Sequence, residues 1–239
     1  MNIPLLDDTG CLPDLAAAVR ERDGLVGAST DLSVARLLTF YPHGMFPWHG
    51  DGRFFYWFTV SPRAVLYPAK LHIGRSLAKT LRHKPYAVSV NRAFASVIAA
   101  CAAAPREGQQ GTWIGHDFQV AYTRLHQSGH AHSFECWYPD GQGGRQLAGG
   151  LYGVQIGCVF FGESMFARQS DASKIAFAHA VPYLAECGVQ LIDCQMHTAH
   201  LARFGSENLP LADFQVALQA FTRQSLASAI GSNMLHVTF

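Results

Sequence analysis

Two apolar runs separated by a glycine dominate the hydrophobic pattern. Leu151, Tyr152, Val154 and Ile156 form the first; Cys158, Val159, Phe160 and Phe161 form the second, with Gly157 between them. This predicts a β-hairpin, because the turn needs a residue that accepts positive φ. Apolar side chains occupy both parities of each run, so both faces of the sheet should be covered. Between Leu147 and Met165 the chain also sets glycines at 149, 150, 153 and 162 and one carboxylate, Glu163. Glycine in a strand marks a bulge or the close approach of another backbone or a ligand. A buried carboxylate is costly without a cationic or hydrogen-bonding partner. The hairpin therefore reads as the wall of a pocket for something part apolar and part cationic. The plainer alternative is a core hairpin whose Glu163 pairs with an internal arginine.

The rest of the pattern alternates helices and strands. Residues 1–30 read as irregular. Residues 31–41 form a short helix, capped by Asp31 or Ser33 and stopped by Pro42. A strand covers 61–67 and is interrupted at Pro68. Leu71, Ile73, Leu77 and Leu81 predict an extended entry and then a helix with a basic face. A strand at 86–90 leads to a helix capped by Asn91, and a loop at 105–111 delivers Thr112-Trp113-Ile114. An amphipathic helix over 117–127 carries Phe118, Tyr122 and Leu125, and a strand follows at 131–138. After the hairpin, a helix runs from about Ser170 to Glu186 and ends at Gly188, with Pro182 predicting a kink or break. A buried strand spans 189–196, Thr198 starts a short helix, and a last helix covers 211–229. This alternation predicts an α/β or α+β core from about residue 69 onward. Residues 1–68 read as a separate small domain.

Composition narrows the class. The 239 residues, 49% hydrophobic, suffice for one large domain or two small ones. No run of 18 apolar residues is present, so no membrane-spanning helix is expected. The acidic N-terminus does not resemble a secretory signal. The six cysteines follow no paired spacing, which fits reduced thiols in a cytoplasmic protein. Net charge is +1, but no acid occurs from Gly52 to Arg106, where nine Lys and Arg residues stand. That zone is a footprint for a polyanion, nucleic acid first; a solvated basic face is the plainer alternative. The ring-rich stretches Gly44-Met-Phe-Pro-Trp48 and Phe54-Phe-Tyr-Trp-Phe58 read either as a stacking platform for a base or as a small aromatic core.

Candidate chemistry centres on the strand at 189–196. Alternation puts Leu191, Asp193 and Gln195 on one face, and a carboxylate and an amide so placed can take a proton and position a substrate. Asp193 could equally cap the helix at Thr198. Cys194, His197 and His200 lack a second matching pair, so no metal site is expected. There is no P-loop, no GxGxxG and no nucleophile elbow.

Gly44-Met-Phe-Pro-Trp48, Gly111-Thr-Trp-Ile114, Leu125-His-Gln-Ser-Gly-His-Ala-His-Ser133, Gly149-Gly-Leu-Tyr-Gly153, Phe161-Gly-Glu-Ser-Met-Phe166, Ala172-Ser-Lys174 and Leu191-Ile-Asp-Cys-Gln195 occur in that order. Together they resemble the leucyl/phenylalanyl-tRNA–protein transferase family. The resemblance covers about residues 25–215. It implies an α+β chain with a small N-terminal domain, 1–68, followed by a GNAT-like acetyltransferase-type domain, 69–239. It implies transfer of Leu or Phe, and Met less well, from aminoacyl-tRNA to proteins with N-terminal Arg or Lys, marking them for N-end rule degradation, with no cofactor. By the same resemblance Trp48 and Trp113 hold the 3′-adenosine. Leu151, Phe160, Met165, Phe177 and Ile192 line the side-chain pocket, and Glu163 holds the aminoacyl α-ammonium. Asp193 and Gln195 activate the attacking amine, and the basic zone, through Lys70, Arg75, Lys79, Arg82 and Lys84, faces tRNA phosphates. The chain departs from the family pattern at Trp57-Phe-Thr-Val-Ser-Pro-Arg63 and Leu209-Pro-Leu211. An acyl-CoA-dependent N-acyltransferase is the rival enzyme, but its glycine-rich pyrophosphate loop is missing. A non-catalytic RNA-binding module would leave the Glu163 hairpin unexplained.

Overall fold

The computed structural model describes residues 3–6, 12–105 and 112–235. Most of the loop expected at 105–111 lies outside the described residues. The stretch expected to be irregular contains helix α1, Leu15–Arg22, and strand β1, Leu25–Ser29. Asp14, Asp23 and Gly24 there are cap and turn chemistry. Asp14 accepts the Ala17 N–H, and Asp23 and Gly24 take left-handed backbone to turn the chain into β1. Ser33 caps α2, Val34–Phe40, and a 3-10 turn follows at Tyr41–His43. Strands β2, Phe46–Gly50, and β3, Phe55–Phe58, join β1 in an antiparallel sheet of order β1-β3-β2. Within the aromatic run Trp57 belongs to the core and its neighbours are half-buried. Trp57 is fully buried, meets Phe40 edge-on at 4.6 Å and donates its indole N–H to Ser29 Oγ at 2.8 Å.

The second sheet is built from β4, Arg63–Leu66; β5, Ala87–Val90; β6, Ala131–Pro139; β7, Arg145–Ile156; β8, Val159–Ala167; β9, Leu191–Gln195; β10, Glu207–Leu209; and β11, Asn233–Leu235. Its order is β10-β4-β9-β8-β7-β6-β5-β11, and β8 with β9 is its parallel pair. The helices are α3, Arg75–His83; α4, Phe94–Ala103; α5, His116–Gln127; α6, Ala172–Cys187; α7, Ala199–Ala202; and α8, Leu211–Phe221. The fold is α+β, as expected. Alternation along β8 sends Val159 and Phe161 into a core with α4, α5 and α8, and Phe160 into a second core with α6. Both faces of the hairpin are therefore covered. Strand β4 hydrogen-bonds into the eight-stranded sheet, so a boundary after residue 68 does not coincide with the division between the two sheets.

Local expectations were corrected in four places. Cys158 lies in the hairpin turn, and its N–H bonds the Phe221 carbonyl at 2.8 Å. That turn meets the end of α8, which stops at Phe221 rather than at 229. Asn91 has left-handed backbone and does not cap α4. Its amide reaches His132 and the Gly231 carbonyl, while Glu135 accepts the N–H groups of Arg92 and Ala93. Helix α6 runs unbroken through Pro182, because its length is buried and packing overrides the lost bond.

Candidate active site

Strands β8 and β9 pair over only three residues, Val159 with Leu191, Phe160 with Ile192, and Phe161 with Asp193. Beyond that point β8 continues to Ala167 and the strands bound a cavity of about 330 Å³. Leu151, Phe160, Met165, Phe177 and Ile192 all line it, with Ala180, Val181 and Leu184 of α6. A second pocket of about 180 Å³ lies between Trp48 and Trp113 and is also lined by Phe46, Pro47 and Met196. Glu163, Ser164 and Gln195 border both pockets. An apolar cavity thus meets an aromatic cleft at one carboxyl group.

Glu163 owes its position to a β-bulge. Tyr152 pairs with Ser164 and Gly153 with Gly162, leaving Glu163 as the extra residue on β8. The glycine at 153 is required there, since a Cβ would lie 2.3 Å from the Phe161 carbonyl oxygen. Glu163 is 8% exposed and, among the described residues, has no arginine as an ion-pair partner. Tyr41 Oη lies 2.7 Å from Oε1, Tyr122 Oη lies 2.9 Å from Oε2, and the two hydroxyls lie 2.6 Å apart. Burial pushes the carboxyl up to about 7, against the two tyrosine hydrogen bonds; the Asp193 charge raises it further and Arg63 lowers it. Burial and the Glu163 charge push both tyrosines well above their ordinary range.

Asp193, fully buried, is held differently. Arg63 of β4 donates Nε–H to Oδ1 at 2.8 Å and Nη2–H to Oδ2 at 2.7 Å. The guanidinium is itself buried, with its carbon 4.7 Å from the Phe46 ring and 4.8 Å from Phe214. Asp193 Oδ1 also accepts the backbone N–H of Gln195 at 2.8 Å. Gln195 has φ of 60°, a left-handed backbone at the end of the strand, and both residues line the apolar cavity. The link between the pair is therefore carboxylate to backbone. Asp193 is not the cap of α7; the Thr198 hydroxyl accepts the Leu201 N–H.

Arg63, Tyr41 and Tyr122 escaped the sequence reading. Arg63 stands in an apolar strand, Arg63-Ala-Val-Leu66, where a cation needs a buried carboxylate, and that was the available signal. The tyrosines looked like ordinary apolar positions of two helices.

The basic zone is split in the same way. Arg63 is core. Lys70 pairs with Glu207 at 2.8 Å, and Lys84 donates to the Ser170 carbonyl at 2.9 Å and lies over the Tyr138 ring. Arg75, Lys79 and Arg82 are exposed on α3. Among the described residues, no group of three or more His, Cys, Asp or Glu is arranged to hold a metal ion, and no helix is long and apolar enough to cross a membrane.

Comparison with known proteins matches residues 65–219 to the family described as leucyl/phenylalanyl-tRNA protein transferase. A leucyl/phenylalanyl-tRNA–protein transferase of Neisseria meningitidis serogroup C (strain 053442) is 58% identical over 232 residues, covering 97% of this chain and 96% of that protein. The proteins of the same name from Laribacter hongkongensis and Chromobacterium violaceum are 50% and 49% identical, covering 93% and 92% of this chain and of their own lengths. Among solved structures, L-PGS from Bacillus licheniformis aligns at 9% identity with a TM-score of 0.40, covering 92% of this chain and 69% of that one, too distant to bear on function. The chain belongs to the leucyl/phenylalanyl-tRNA protein transferase family.

Proposed function

We propose that this protein moves leucine or phenylalanine, and methionine less well, from aminoacyl-tRNA to the α-amine of proteins beginning with arginine or lysine. The products would enter N-end rule degradation in the cytoplasm. The observation that carries this reading is the junction at Glu163, Ser164 and Gln195 of an apolar cavity with a cleft between two tryptophans. A hydrophobic aminoacyl ester has the same three parts: an apolar side chain, an α-ammonium, and an adenosine across the ester bond.

In this assignment the donor side chain fills the cavity of Leu151, Phe160, Met165, Phe177 and Ile192. Glu163 takes the ammonium, and Trp48 and Trp113 take the terminal adenine. Arg75, Lys79 and Arg82, flanked by Lys70 and Lys84, meet tRNA phosphates. The scaffold is a small N-terminal unit followed by a GNAT-like unit, a reading supported by the parallel β8–β9 pair that parts at the site. The acceptor nitrogen bonds to the ester carbonyl carbon, the ester C–O bond breaks, and the ribose hydroxyl leaves with a proton given up by the amine. The ester is already activated, so alignment does most of the work, worth about 7–11 kcal/mol at best. Both Asp193 oxygens are engaged by Arg63, which favours Asp193 acting through Gln195 rather than as a free base. Asp193 fixes the Gln195 backbone so that its amide receives the incoming amine.

The test mixes the protein with charged Leu-tRNA and a peptide that begins with arginine. Addition of one leucine to the peptide N-terminus is expected, with none on a peptide beginning with aspartate. No transfer to the arginine peptide would contradict the reading.

A further inference from the structure

Protons can be counted around Glu163. Its two oxygens and the hydroxyls of Tyr41 and Tyr122 form a closed ring with three hydrogen-bond contacts, at 2.6, 2.7 and 2.9 Å. Each contact needs one proton. The tyrosines supply two. An ionised Glu163 supplies none, so one contact would set two oxygens together with no hydrogen between them. A neutral Glu163 supplies the third, and the ring closes: Glu163 to one tyrosine, that tyrosine to the other, and the second tyrosine back to Glu163. The ring ties together the turn after α2, helix α5 and strand β8.

The other groups around the ring do not remove this requirement. Tyr152 of β7 stands against Tyr122, with ring centroids 5.5 Å apart. Asp193 of β9 adds a negative charge, and the Arg63 charge from β4 is already engaged by Asp193 with two bonds. The raised titration of Glu163 agrees with the count.

We propose that the free protein holds Glu163 as a neutral carboxylic acid that closes a three-proton ring with Tyr41 and Tyr122, and that seating the donor's α-ammonium expels that proton to solvent. The step balances simply. The Glu163 O–H bond breaks, its proton leaves through the pocket mouth, and an ammonium N–H donates to the freed carboxylate. No bond within the donor changes. The ring then holds two protons and opens at one contact, and the ammonium N–H satisfies the carboxylate oxygen freed there. Donor binding is thereby coupled to release of one proton, and the site is uncharged at Glu163 until a cation arrives. The proposal rests on the reading of Glu163 as the partner of the donor ammonium.

The test uses the full chain and a non-transferable donor, 3′-deoxy-3′-(leucylamino)adenosine, in which an amide replaces the ester. Calorimetric titrations at pH 6 in two buffers of different ionisation heat count the protons exchanged. The wild-type protein should release close to one proton per donor bound. Glu163→Gln can close the same ring with its amide N–H, so it should fold normally, bind the probe at least tenfold more weakly and release none. A wild-type protein that binds the probe with no proton release, while Glu163→Gln binds weakly, would overturn the coupling and leave the ammonium contact standing. Unchanged affinity in Glu163→Gln would instead remove that contact and the coupling with it. A second measurement does not depend on the variant's affinity: the carboxyl ¹³C resonance of Glu163 in the free protein should report the protonated form at pH 6 and move to the carboxylate position as the probe is added. A carboxylate resonance in the free protein at pH 6 overturns the proposal.

Discussion

Glu163 on β8 and Asp193 on β9 are buried carboxylates that border the same cavity, and the chain holds them by opposite means. Asp193 meets a guanidinium fork through two bonds, and that fork is enclosed by two rings. Among the described residues, Glu163 is hydrogen-bonded by neutral hydroxyls. A charge partner offsets the desolvation of a carboxylate; hydroxyls offset it only in part. Glu163 is therefore pushed up to about 7 and can change charge when a cation arrives. Asp193 is instead committed to Arg63 through both its oxygens. One carboxylate is suited to binding and the other to holding geometry.

The largest effect should come from breaking the fixed pair. Arg63→Met leaves Asp193 buried without its cation and should cost about 3–5 kcal/mol of stability in urea unfolding. Adding Asp193→Leu removes the stranded charge, so the double variant should recover most of that loss, with strong non-additivity. A purely additive pair would mean that Arg63 and Asp193 do not depend on each other.

The labile carboxyl should show itself through pH. Its folded value is raised from the ordinary 4.5 to about 7. Its stabilising contribution is therefore present below 4.5 and is lost as pH rises through about 7. Glu163→Gln avoids the buried carboxylate and should be more stable than the wild type at pH 8, by on the order of 3 kcal/mol, with no difference near pH 4. Urea unfolding at the two pH values measures this, and a difference that does not vary with pH sinks it.

Donor contacts outside both carboxylates serve as controls. Trp48→Ala and Trp113→Ala should each weaken binding of the minimal aminoacyl-adenosine by about 1–3 kcal/mol. Neither should alter the proton count, because the hydrogen bonds of the Glu163 ring come from Tyr41 and Tyr122. The smallest effect belongs to α3. Arg82→Ala should lower the slope of log affinity for charged tRNA against log salt by about 1, and should leave the minimal donor unaffected.

Much of this architecture can be read along the chain. The hairpin, the basic helix, α5 and α6 follow from periodicity and turn chemistry, and the apolar lining from the family resemblance. Strands β10 and β11 do not, because they are short and pair with strands far back along the chain. The functional detail is hidden where periodicity fails. Glu163 sits in a bulge, Cys194 is the extra residue between the β4–β9 pairs, and Gln195 has left-handed backbone. Asp193 and Gln195 still line one cavity, but a bulge and a left-handed residue rather than regular alternation bring them there. The partners that decide the chemistry of the two carboxylates stand 130 residues from Asp193 and 122 and 41 residues from Glu163. No local pattern reports contacts at that separation.

The division of labour between the two carboxylates is tested most directly by single-turnover transfer at saturating Leu-tRNA, comparing Asp193→Asn with Glu163→Gln. Asp193→Asn should slow transfer by about 10²-fold with donor affinity intact, as expected when alignment is lost. Glu163→Gln should bind donor weakly yet transfer within about tenfold of wild type once saturated. A near-wild-type rate for Asp193→Asn, or a saturated rate for Glu163→Gln as low as that expected of Asp193→Asn, contradicts the account.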